Sequence, residues 1–540
     1  MNDNKKLQIY LPVLLAFAII IGIVIGSNFL NFGKSSSKNI FSFEKNKSNK
    51  FNDILNIIDE YYVDSVNKNK LTEIAVADLL QNLDPHSYYI PASELKKTNE
   101  MLTGSFEGIG IEFNIQKDTV IVISTITGGP AESLGVKPGD RIIKINNINA
   151  AGIKITNKEV FSKLRGKKGT KVTISVLRNG YNKLVDFTIV RDKIPEKSVD
   201  IAFMFDKQTG YIKLSKFSAT TFNEMKTAIE KLKNKNIKKL ILDLRGNGGG
   251  YLDIAVKIAD EFLYEGKLIV YTEGRNRPRT DYYATGKGEL EDTKIIVLID
   301  EWSASASEIL AGAIQDNDRG LVIGRRSFGK GLVQEQMELQ DGSALRLTIA
   351  RYHTPTGRCI QRPYGANTSD YYNDFFKQYT EDEDTSGAPK KSTHPDSLKY
   401  KTPKGKIVYG GGGITPDITV RNDTGKSVKY FFDVANKGLI NQFAFDYADR
   451  NRKELNKKYK SETFNNNFIV TDEMYKNFIE FASKKGIGKN IDNSKISETM
   501  IKTYLKAFIG RLIFNNESFY PVILKVDKTF LKAVEEIKKL

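Results

Sequence analysis

The pattern of apolar and polar residues divides the chain into regions with different periodicities. From Phe51 to Leu83 apolar residues recur at helical spacing, which predicts two helices that end at the proline of Leu83-Asp84-Pro85-His86. Residues 104–190 contain short β-branched runs between Gly and Pro turns, which is typical of β-strands. This region is therefore predicted to be β-rich.

Strands and helices alternate after about residue 193. Short buried strands are predicted at 211–214, 239–244 and 294–299. Helices are predicted between and after them, at 222–233, 252–263 and 307–316. This alternation indicates an α/β domain. Residues 365–405 are polar and predict an exposed excursion, and the Lys-rich chain of 425–540 predicts a helical carboxyl-terminal extension.

The amino-terminal 30 residues have the pattern of a membrane segment. Lys5 and Lys6 precede an uncharged run from Leu7 to Leu30, which is long enough to cross a hydrocarbon core of about 30 Å. The two lysines predict that this end lies inside. We expect an uncleaved anchor in the inner membrane, with residues 31–50 as a tether and an extracytoplasmic body, periplasmic in a double-membrane bacterium. A cleaved signal peptide is the alternative.

Charge and cysteine content narrow the class of protein. Lys and Arg number 82 against 65 Asp and Glu, a net charge of +17. Such an excess can indicate an anionic partner, either nucleic acid or a membrane, or simply a proteome that is rich in Lys and Asn. No basic stripe with interleaved aromatic residues stands out, so no nucleic-acid partner is expected. One cysteine, Cys359, and three dispersed histidines make a metal site a poor interpretation. We expect no metal and no cofactor.

Two motifs in residues 99–192 resemble those of PDZ domains. The first is the segment 106–113, which contains Gly108, Ile109, Gly110 and Ile111, and the second runs from Gly129 through Asn146. A glycine-flanked turn exposes N–H groups that can hold a chain-terminal carboxylate, and the strand after it can accept an extended peptide. The resemblance implies that these four residues bind peptide. The alternative is a module that only packs against its neighbour.

A serine-rich segment supplies the candidate nucleophile. Ser305 lies in Ser303-Ala304-Ser305-Ala306-Ser307-Glu308, after an apolar strand and at the start of a helix. Ser305 and Glu308 have the spacing of a capping box, which alone would explain the serine. A helix amino terminus also favours an oxyanion. Structural and catalytic interpretations are therefore compatible here.

The candidate base is a lysine among glycines. A serine needs a base to act as a nucleophile near neutral pH, and Lys330 of Ser327-Phe328-Gly329-Lys330-Gly331 can serve if burial keeps its amine neutral. An ordinary surface lysine is the alternative.

The two segments together resemble the carboxyl-terminal processing peptidases of the serine–lysine type, the tail-specific or Prc/CtpA-like family S41. Lys330 follows Ser305 by the 25 residues of the family pattern. The resemblance implies that Ser305 is the nucleophile, Lys330 the base and Gln334 the residue that orients the lysine. Further matching motifs lie at 83–87, 350–358 and 410–417.

The resemblance also implies a domain organisation and an oxyanion hole. A helical region (51–98) and the inserted PDZ domain (99–192) precede a crotonase/ClpP-like α/β protease core (193–424). The N–H of Ala306 and the turn at Gly249 and Gly250 are expected to hold the oxyanion. This turn, Asp243–Gly250, lacks the proline that the family often has, so the sequence leaves open which glycine of 248–250 donates.

The implied function is serine endopeptidase activity near or at protein carboxyl termini. The PDZ domain would recognise apolar tails of unfolded or processed envelope proteins and gate the site. One rival is a Ser–His–Asp hydrolase that uses His86 or His353, and another is an inactive PDZ scaffold. The sequence does not decide whether the chain forms a homo-oligomer or needs an adaptor protein.

Overall fold

The computed structural model describes residues 50–365, 368–381, 396–422, 425–488 and 495–540. The two helices expected near the amino end are present as α1 (Lys50–Tyr61) and α2 (Lys68–Gln81). The run Leu7–Leu30 and residues 31–49 of the tether lie outside the described residues, so the anchor stays a prediction. Within the described ranges, no helix combines the length and apolar character that a membrane crossing needs.

A β-rich body follows strand β1 (Tyr88–Ile90) and helix α3 (Ala92–Thr103). Its strands are β2 (Ser105–Gly108), β3 (Ile111–Gln116), β4 (Thr119–Thr125), β5 (Arg141–Ile145), β6 (Ile148–Asn149), β7 (Lys171–Leu177), β8 (Val185–Val190) and β9 (Asp192–Pro195). Its helices are α4 (Pro130–Ser133) and α5 (Asn157–Leu164). The main sheet runs β3–β4–β5–β7–β8, so β3 lies at an edge, and β2 pairs with β9 as a separate ribbon.

A six-stranded sheet forms the centre of the second body. Its strands in spatial order are β10 (Val199–Met204), β11 (Thr209–Leu214), β12 (Lys239–Asp243), β15 (Lys294–Ile299), β16 (Leu321–Gly324) and β21 (Ile418–Thr419). Strand β10 is antiparallel to β11, and all other neighbours are parallel. Parallel strands joined by helices confirm the α/β interpretation.

Different helices cover the two faces of this sheet. The helices α6 (Thr221–Lys233), α7 (Leu252–Asp260) and α8 (Ala306–Asp316) belong to the apolar cluster that contains Leu240 and Val297. The alternate residues Ile241, Ile296 and Leu298 belong to a second cluster on the opposite face. The buried strands are apolar on both faces because both are covered.

A smaller antiparallel sheet carries the segments around the site. It consists of β1, β13 (Leu268–Gly274), β14 (Arg277–Tyr283), β17 (Leu332–Glu338) and β18 (Ala344–His353). Of the exposed excursion predicted at 365–405, residues 366–367 and 382–395 lie outside the described residues. In the described part, helix α9 (Thr368–Glu381) differs from the prediction because Tyr371 and Phe375 are buried. Polar composition concealed these two contact residues. A short hairpin of β19 (Lys399–Lys401) and β20 (Ile407–Tyr409) follows.

The carboxyl-terminal region is helical, as predicted. Its helices are α10 (Lys429–Asn436), α11 (Leu439–Lys458), α12 (Ser461–Asn467), α13 (Asp472–Lys484), α14 (Lys495–Phe514), α15 (Asn516–Ile523) and α16 (Lys528–Ile537). Most of them surround a core of their own. Helix α16 instead packs Phe530, Ala533 and Ile537 on the second face of the six-stranded sheet. Helix α16 therefore helps to cover the second face of the sheet in the protease core, which the sequence of the region did not indicate.

Candidate active site

Ser305 occupies a strained turn between β15 and α8. Its backbone has φ +56° and ψ −115°, a conformation that costs energy for a residue with a Cβ. Its N–H donates to Oε2 of Glu308 at 2.8 Å, the half of the predicted capping box that Glu308 makes. The turn places Ser305 at the amino terminus of α8, where N–H groups are free of helical partners.

The Glu308 carboxylate joins the Ser305 turn to the Lys330 loop. Its Oε2 accepts the N–H groups of Ser305 (2.8 Å) and Lys330 (2.9 Å). Its Oε1 accepts the N–H of Gly329 (2.7 Å) and the hydroxyl of Ser327 (2.5 Å). Glu308 is fully buried, and burial raises the pKa of its carboxyl while these four donors oppose that rise. One anion thus fixes both backbone segments.

Tyr352 of β18 makes a second connection between the same segments. Its buried hydroxyl lies 2.5 Å from the carbonyl oxygen of Lys330 and 3.1 Å from that of Ser305. A hydroxyl has one proton, so it donates to one oxygen at a time, and the Lys330 carbonyl is nearer. The structure therefore brings the two segments together from both sides.

The Lys330 amine is held and partly desolvated. Its Nζ donates to Oε1 of Gln334 at 2.8 Å, and Nε2 of Gln334 donates to the carbonyl oxygen of His86. Burial, aided by the positive charge of Arg346, lowers the pKa of Lys330 to about 8. Among the hydrogen bonds of the described residues, none joins this Nζ to Oγ of Ser305.

The two histidines of the rival mechanism have different surroundings. His86 lies close to Lys330, in a turn whose N–H groups donate to Asp84, and its Nε2 is 3.2 Å from the hydroxyl of Tyr371. Burial, with the Lys330 charge, lowers the pKa of His86 to about 4. His353 stacks on Tyr271 with ring centroids 4.6 Å apart. Of the two, only His86 belongs to the site.

The glycine turn after β12 lies directly against Ser305. A Cβ on Gly249 would meet Cβ of Ser305 at 2.8 Å and the nitrogen of Ala306 at 2.9 Å, which only glycine permits. The N–H of Gly249 donates to Oδ1 of Asn247 at 2.9 Å. Within the described part of the chain, the N–H groups of Gly250 and Ala306 have no hydrogen-bond partner. Asn247 also accepts from Ser307 and Ala304 through its carbonyl.

Aromatic side chains of α9 cover the outer side of this corner. Phe375 packs on Phe328 (ring centroids 5.0 Å) and Trp302 (5.7 Å), and Tyr371 contacts His86. Trp302 precedes Ser305 by three residues and Phe328 precedes Lys330 by two. Helix α9 therefore contacts both the segment that carries Ser305 and the segment that carries Lys330.

The PDZ residues form an open edge beside a basic side chain. Gly110 has φ +78°, and Ile111 begins the edge strand β3. Phe113 of β3 packs against Phe161 of helix α5, with ring centroids 5.1 Å apart. Ile109 is buried, so this residue contributes its backbone to the loop. Gly108 lies against Cγ of Arg165 (3.7 Å from an added Cβ). The Arg165 guanidinium pairs with Glu100 at 3.1 Å and lies over the ring of Phe106, so the loop offers a peptide mainly its backbone N–H groups.

Several functional contacts were not evident from the sequence. Glu308 was assigned only to a helix cap, and Tyr352 was not singled out. The spacing of Glu308 from Ser305 was visible, but its bonds to Gly329 and Lys330 depend on tertiary packing. Tyr352 lies within the motif at 350–358, which was the available signal.

Comparison with known families identifies three segments. Residues 208–368 match the model of peptidase family S41, and residues 108–189 match the PDZ domain. Residues 430–515 match a family of unknown function, DUF8443. The first two segments agree with the protease core and PDZ domain inferred above.

Relatives extend the similarity across most of the chain. A carboxy-terminal-processing protease of Bartonella bacilliformis is 40% identical over 317 residues, 58% of this chain and 72% of the relative. The carboxy-terminal processing protease CtpA of Bacillus subtilis is 36% identical over 354 residues, 64% of this chain and 75% of the relative. The solved photosystem II D1 C-terminal processing protease matches with 24% identity, a TM-score of 0.35, and coverage of 68% of this chain and 92% of that chain. The chain therefore belongs to the carboxy-terminal processing proteases of peptidase family S41 and is a serine-type peptidase with a PDZ domain.

Proposed function

We propose that this protein is an endopeptidase that cleaves proteins near their carboxyl termini with a Ser305–Lys330 dyad. The observation that carries the proposal is the Glu308 carboxylate, which accepts N–H groups of both residues in one buried site. Ser305 and Lys330 are 25 residues apart in sequence, yet one buried anion binds the backbone of both. This argues against Lys330 being an ordinary surface lysine.

The base is Lys330 in its neutral form. With a pKa of about 8, about one tenth of the amines are neutral at pH 7, whereas the fraction at the usual lysine value is below about 0.1%. Gln334 fixes the direction of the amine by accepting one of its hydrogens. Nucleophile–base hydrogen bonds are often open in unliganded enzymes, so we expect the Nζ–Oγ bond to form when substrate binds.

Peptide cleavage then follows acyl-transfer chemistry. Lys330 takes the hydroxyl proton as Oγ of Ser305 bonds to the scissile carbonyl carbon, and it returns that proton to the leaving amine. Water, deprotonated by the same lysine, then hydrolyses the acyl-enzyme. The N–H groups of Ala306 and Gly250 hold the oxyanion, since the N–H of Gly249 already donates to Asn247. Gly249 instead lets the turn approach Ser305.

Substrates are captured by the PDZ domain through an apolar tail. The tail adds a strand to β3, its carboxylate meets the backbone N–H groups of the loop Gly108–Ile111, and its side chains contact Phe113 and Phe161. Tail binding gates the dyad. The Lys5, Lys6 and Leu7–Leu30 pattern supports a membrane-anchored enzyme whose body lies outside the cytoplasm.

The proposal is tested with the chain from about residue 35 and an unfolded protein that carries an apolar carboxyl terminus. Cleavage is read by intact mass for wild type, Ser305→Ala, Lys330→Ala and the control Lys506→Ala. Lys506 also has a pKa lowered to about 8 by burial, but it donates to Asn465 in the helical region. We expect cleavage by wild type and Lys506→Ala only. Cleavage by Lys330→Ala would exclude the proposed base.

A second mechanism, with His86 as the base, is favoured by the position of His86 close to Lys330. Because the pKa of His86 is about 4, a histidine base would already be neutral well below pH 7, and activity would reach its plateau there. Replacement of His86 and His353 by glutamine should spare activity if Lys330 is the base. Loss of cleavage together with normal folding would favour histidine.

A further inference from the structure

A buried charge cluster outside the dyad includes Asp243 and Arg245, at the start of the glycine turn. Asp243 ends β12, and both of its carboxylate oxygens accept from Arg245, with Nη2 at 2.6 Å and Nε at 3.0 and 3.1 Å. The hydroxyl of buried Tyr211 also donates to Asp243 at 2.8 Å. Burial raises the pKa of Asp243, but the charges of Arg245 and Lys213 outweigh it and hold that pKa well below its ordinary value.

The remaining face of Arg245 is occupied by the carboxyl-terminal region. Nη1 of Arg245 donates to Oδ1 of Asp527 at 2.9 Å and lies 2.8 Å from its Oδ2. The side chains of Arg245 and Asp527 are only 17% and 22% exposed, so the pair is poorly screened by solvent. Arg245 is thus held between two carboxylates, that of Asp243 at the end of β12 and that of Asp527, which follows Arg245 by 282 residues.

Asp527 is itself fixed by the helix that follows it. Its Oδ1 accepts the N–H of Phe530 at 2.9 Å as the amino-terminal cap of α16. The apolar side of α16 packs on the six-stranded sheet, and Nζ of Lys239 donates to the carbonyl oxygen of Ile537 near its other end. The carboxylate therefore has a defined position relative to β12.

Arg245 lies in the turn that reaches Ser305. Its carbonyl accepts from Nζ of Lys213, and the next N–H, of Gly246, donates to Asp300 at 2.8 Å. Asn247 follows, with bonds to Ala304, Ser307 and Gly249. The same turn leads from Arg245 to the N–H of Gly250, five residues later.

We propose that Asp527 is a positioning residue for the oxyanion turn, so that the carboxyl-terminal helical region completes the catalytic site. The proposal rests on the proposed function, in which Gly250 donates to the oxyanion. Asp527 touches no reacting atom. It holds Arg245 against Asp243 and thereby fixes the turn that carries the donor.

The test compares Asp527→Asn and Asp527→Ser with Tyr520→Phe in the otherwise complete chain. Asparagine and serine retain a cap for α16 but lose the charge that pairs with Arg245. Tyr520 makes another bond of this region to the core, from its hydroxyl to Oδ2 of Asp200 (2.6 Å), without touching Arg245. Tyr520→Phe is therefore the control for weakened docking of the region alone.

Three quantities are measured per folded molecule, with folded protein counted by circular dichroism at the assay temperature. They are kcat, KM and the affinity for a peptidyl boronate, whose tetrahedral adduct places an oxygen in the oxyanion hole. For both Asp527 variants we expect kcat to fall about tenfold, part of the loss that removal of one oxyanion donor causes. We expect boronate affinity to fall in parallel and KM to stay within twofold. Tyr520→Phe should keep kcat and boronate affinity.

Two results would overturn the inference. Equal kcat and boronate affinity in wild type and both Asp527 variants would show that the turn holds its position without this carboxylate. Equal losses in the Asp527 variants and Tyr520→Phe would reduce Asp527 to a docking contact. Failure of the proposed function is a separate outcome, because Ser305→Ala would then cleave as well as wild type.

Discussion

Two regions of the molecule are held by ionic groups that differ in burial. One is the corner where the segments of Ser305 and Lys330 meet, and the other is the contact between the PDZ domain and the helical region. Fully buried Glu308 fixes the corner with four hydrogen bonds. The PDZ domain meets the helical region through Arg141 and Asp449 (2.8 Å; side chains 32% and 12% exposed) and through Glu112 and Arg511 (3.5 Å; 50% and 43% exposed). The proposed dyad is thus held by a desolvated anion. The two pairs between the PDZ domain and the helical region are only partly buried, and Glu112–Arg511 is the one that water and salt reach most easily.

This difference implies a division of roles. A buried charge that loses a partner is costly, so the geometry around Ser305 and Lys330 cannot drift without unfolding the corner. Partly exposed pairs contribute less than a buried one, so we expect the PDZ domain to be held less firmly than the segments of Ser305 and Lys330. This difference suits the proposed gating, in which a bound tail controls access to the site.

The largest expected effect comes from Glu308→Gln. The amide cannot accept at both atoms, so donors at Ser327 and Gly329, or at Ser305 and Lys330, lose their acceptor. We expect the free energy of unfolding to fall by about 3 kcal/mol. Activity should fall about 1,000-fold or more, since misplacement by about 1 Å alone can cost about 100-fold. Chemical denaturation and peptide cleavage measure the two effects.

Glu224→Gln is the matched control. Glu224 accepts the N–H groups of Ser198 (2.7 Å) and Val199 (3.0 Å) at the other side of the core. It should lose stability but keep its activity per folded molecule. If Glu308→Gln behaved the same way, Glu308 would be a structural carboxylate without influence on the dyad.

The next effect concerns the glycine turn. Gly250 has φ +148°, and an added Cβ would lie 2.0 Å from the carbonyl oxygen of Phe217. Gly250→Ala must therefore displace the N–H proposed to hold the oxyanion, and we expect kcat to fall about 100-fold or more. Gly248→Ala has open space at the same turn and should be tolerated. Equal activities of the two variants would remove Gly250 from the oxyanion hole.

A smaller effect is the pH dependence of the dyad. If the neutral amine of Lys330 is the base, as proposed, kcat/KM should rise with pH, with a midpoint at about 8 and a plateau above it. Below the midpoint we expect about a tenfold loss per pH unit. His86→Gln should leave the rise in place because the pKa of His86 is about 4. A midpoint near 4 in the wild type would instead identify a histidine base.

The sequence predicted the parts of the fold that depend on local pattern. The strands Thr209–Leu214, Lys239–Asp243 and Lys294–Ile299 and the helix at Ser305 follow from apolar runs and a capping spacing. The resemblance to the S41 family also selected Lys330 and Gln334, which the structure joins by a hydrogen bond. These features need only neighbouring residues to be recognised.

Contacts between distant segments could not be predicted in the same way. The Arg245–Asp527 pair joins residues that have no common motif, and its aspartate has the sequence signature of an ordinary helix cap. Tyr371 and Phe375 lie in a polar stretch, where composition indicated exposure. The hydrogen bond from the N–H of Gly249 to the side chain of Asn247 depends on the folded shape of the turn, which the sequence does not reveal.

The smallest expected effect tests the weakly held side of the comparison. Asp449→Asn removes the charge that pairs with Arg141, and because the pair is partly exposed we expect a stability loss of about 0.5 kcal/mol. KM for a tail-bearing substrate should rise about twofold, because the PDZ domain is less firmly placed, while kcat for a short peptide without a tail stays unchanged. Added salt should produce the same change in wild type and little in the variant. Asp472→Asn, which breaks an exposed pair with Lys502 elsewhere in the helical region, is the control. A tenfold loss of kcat on the short peptide would mean that this contact supports the chemistry itself, and that the PDZ attachment is as much a part of the catalytic frame as Glu308.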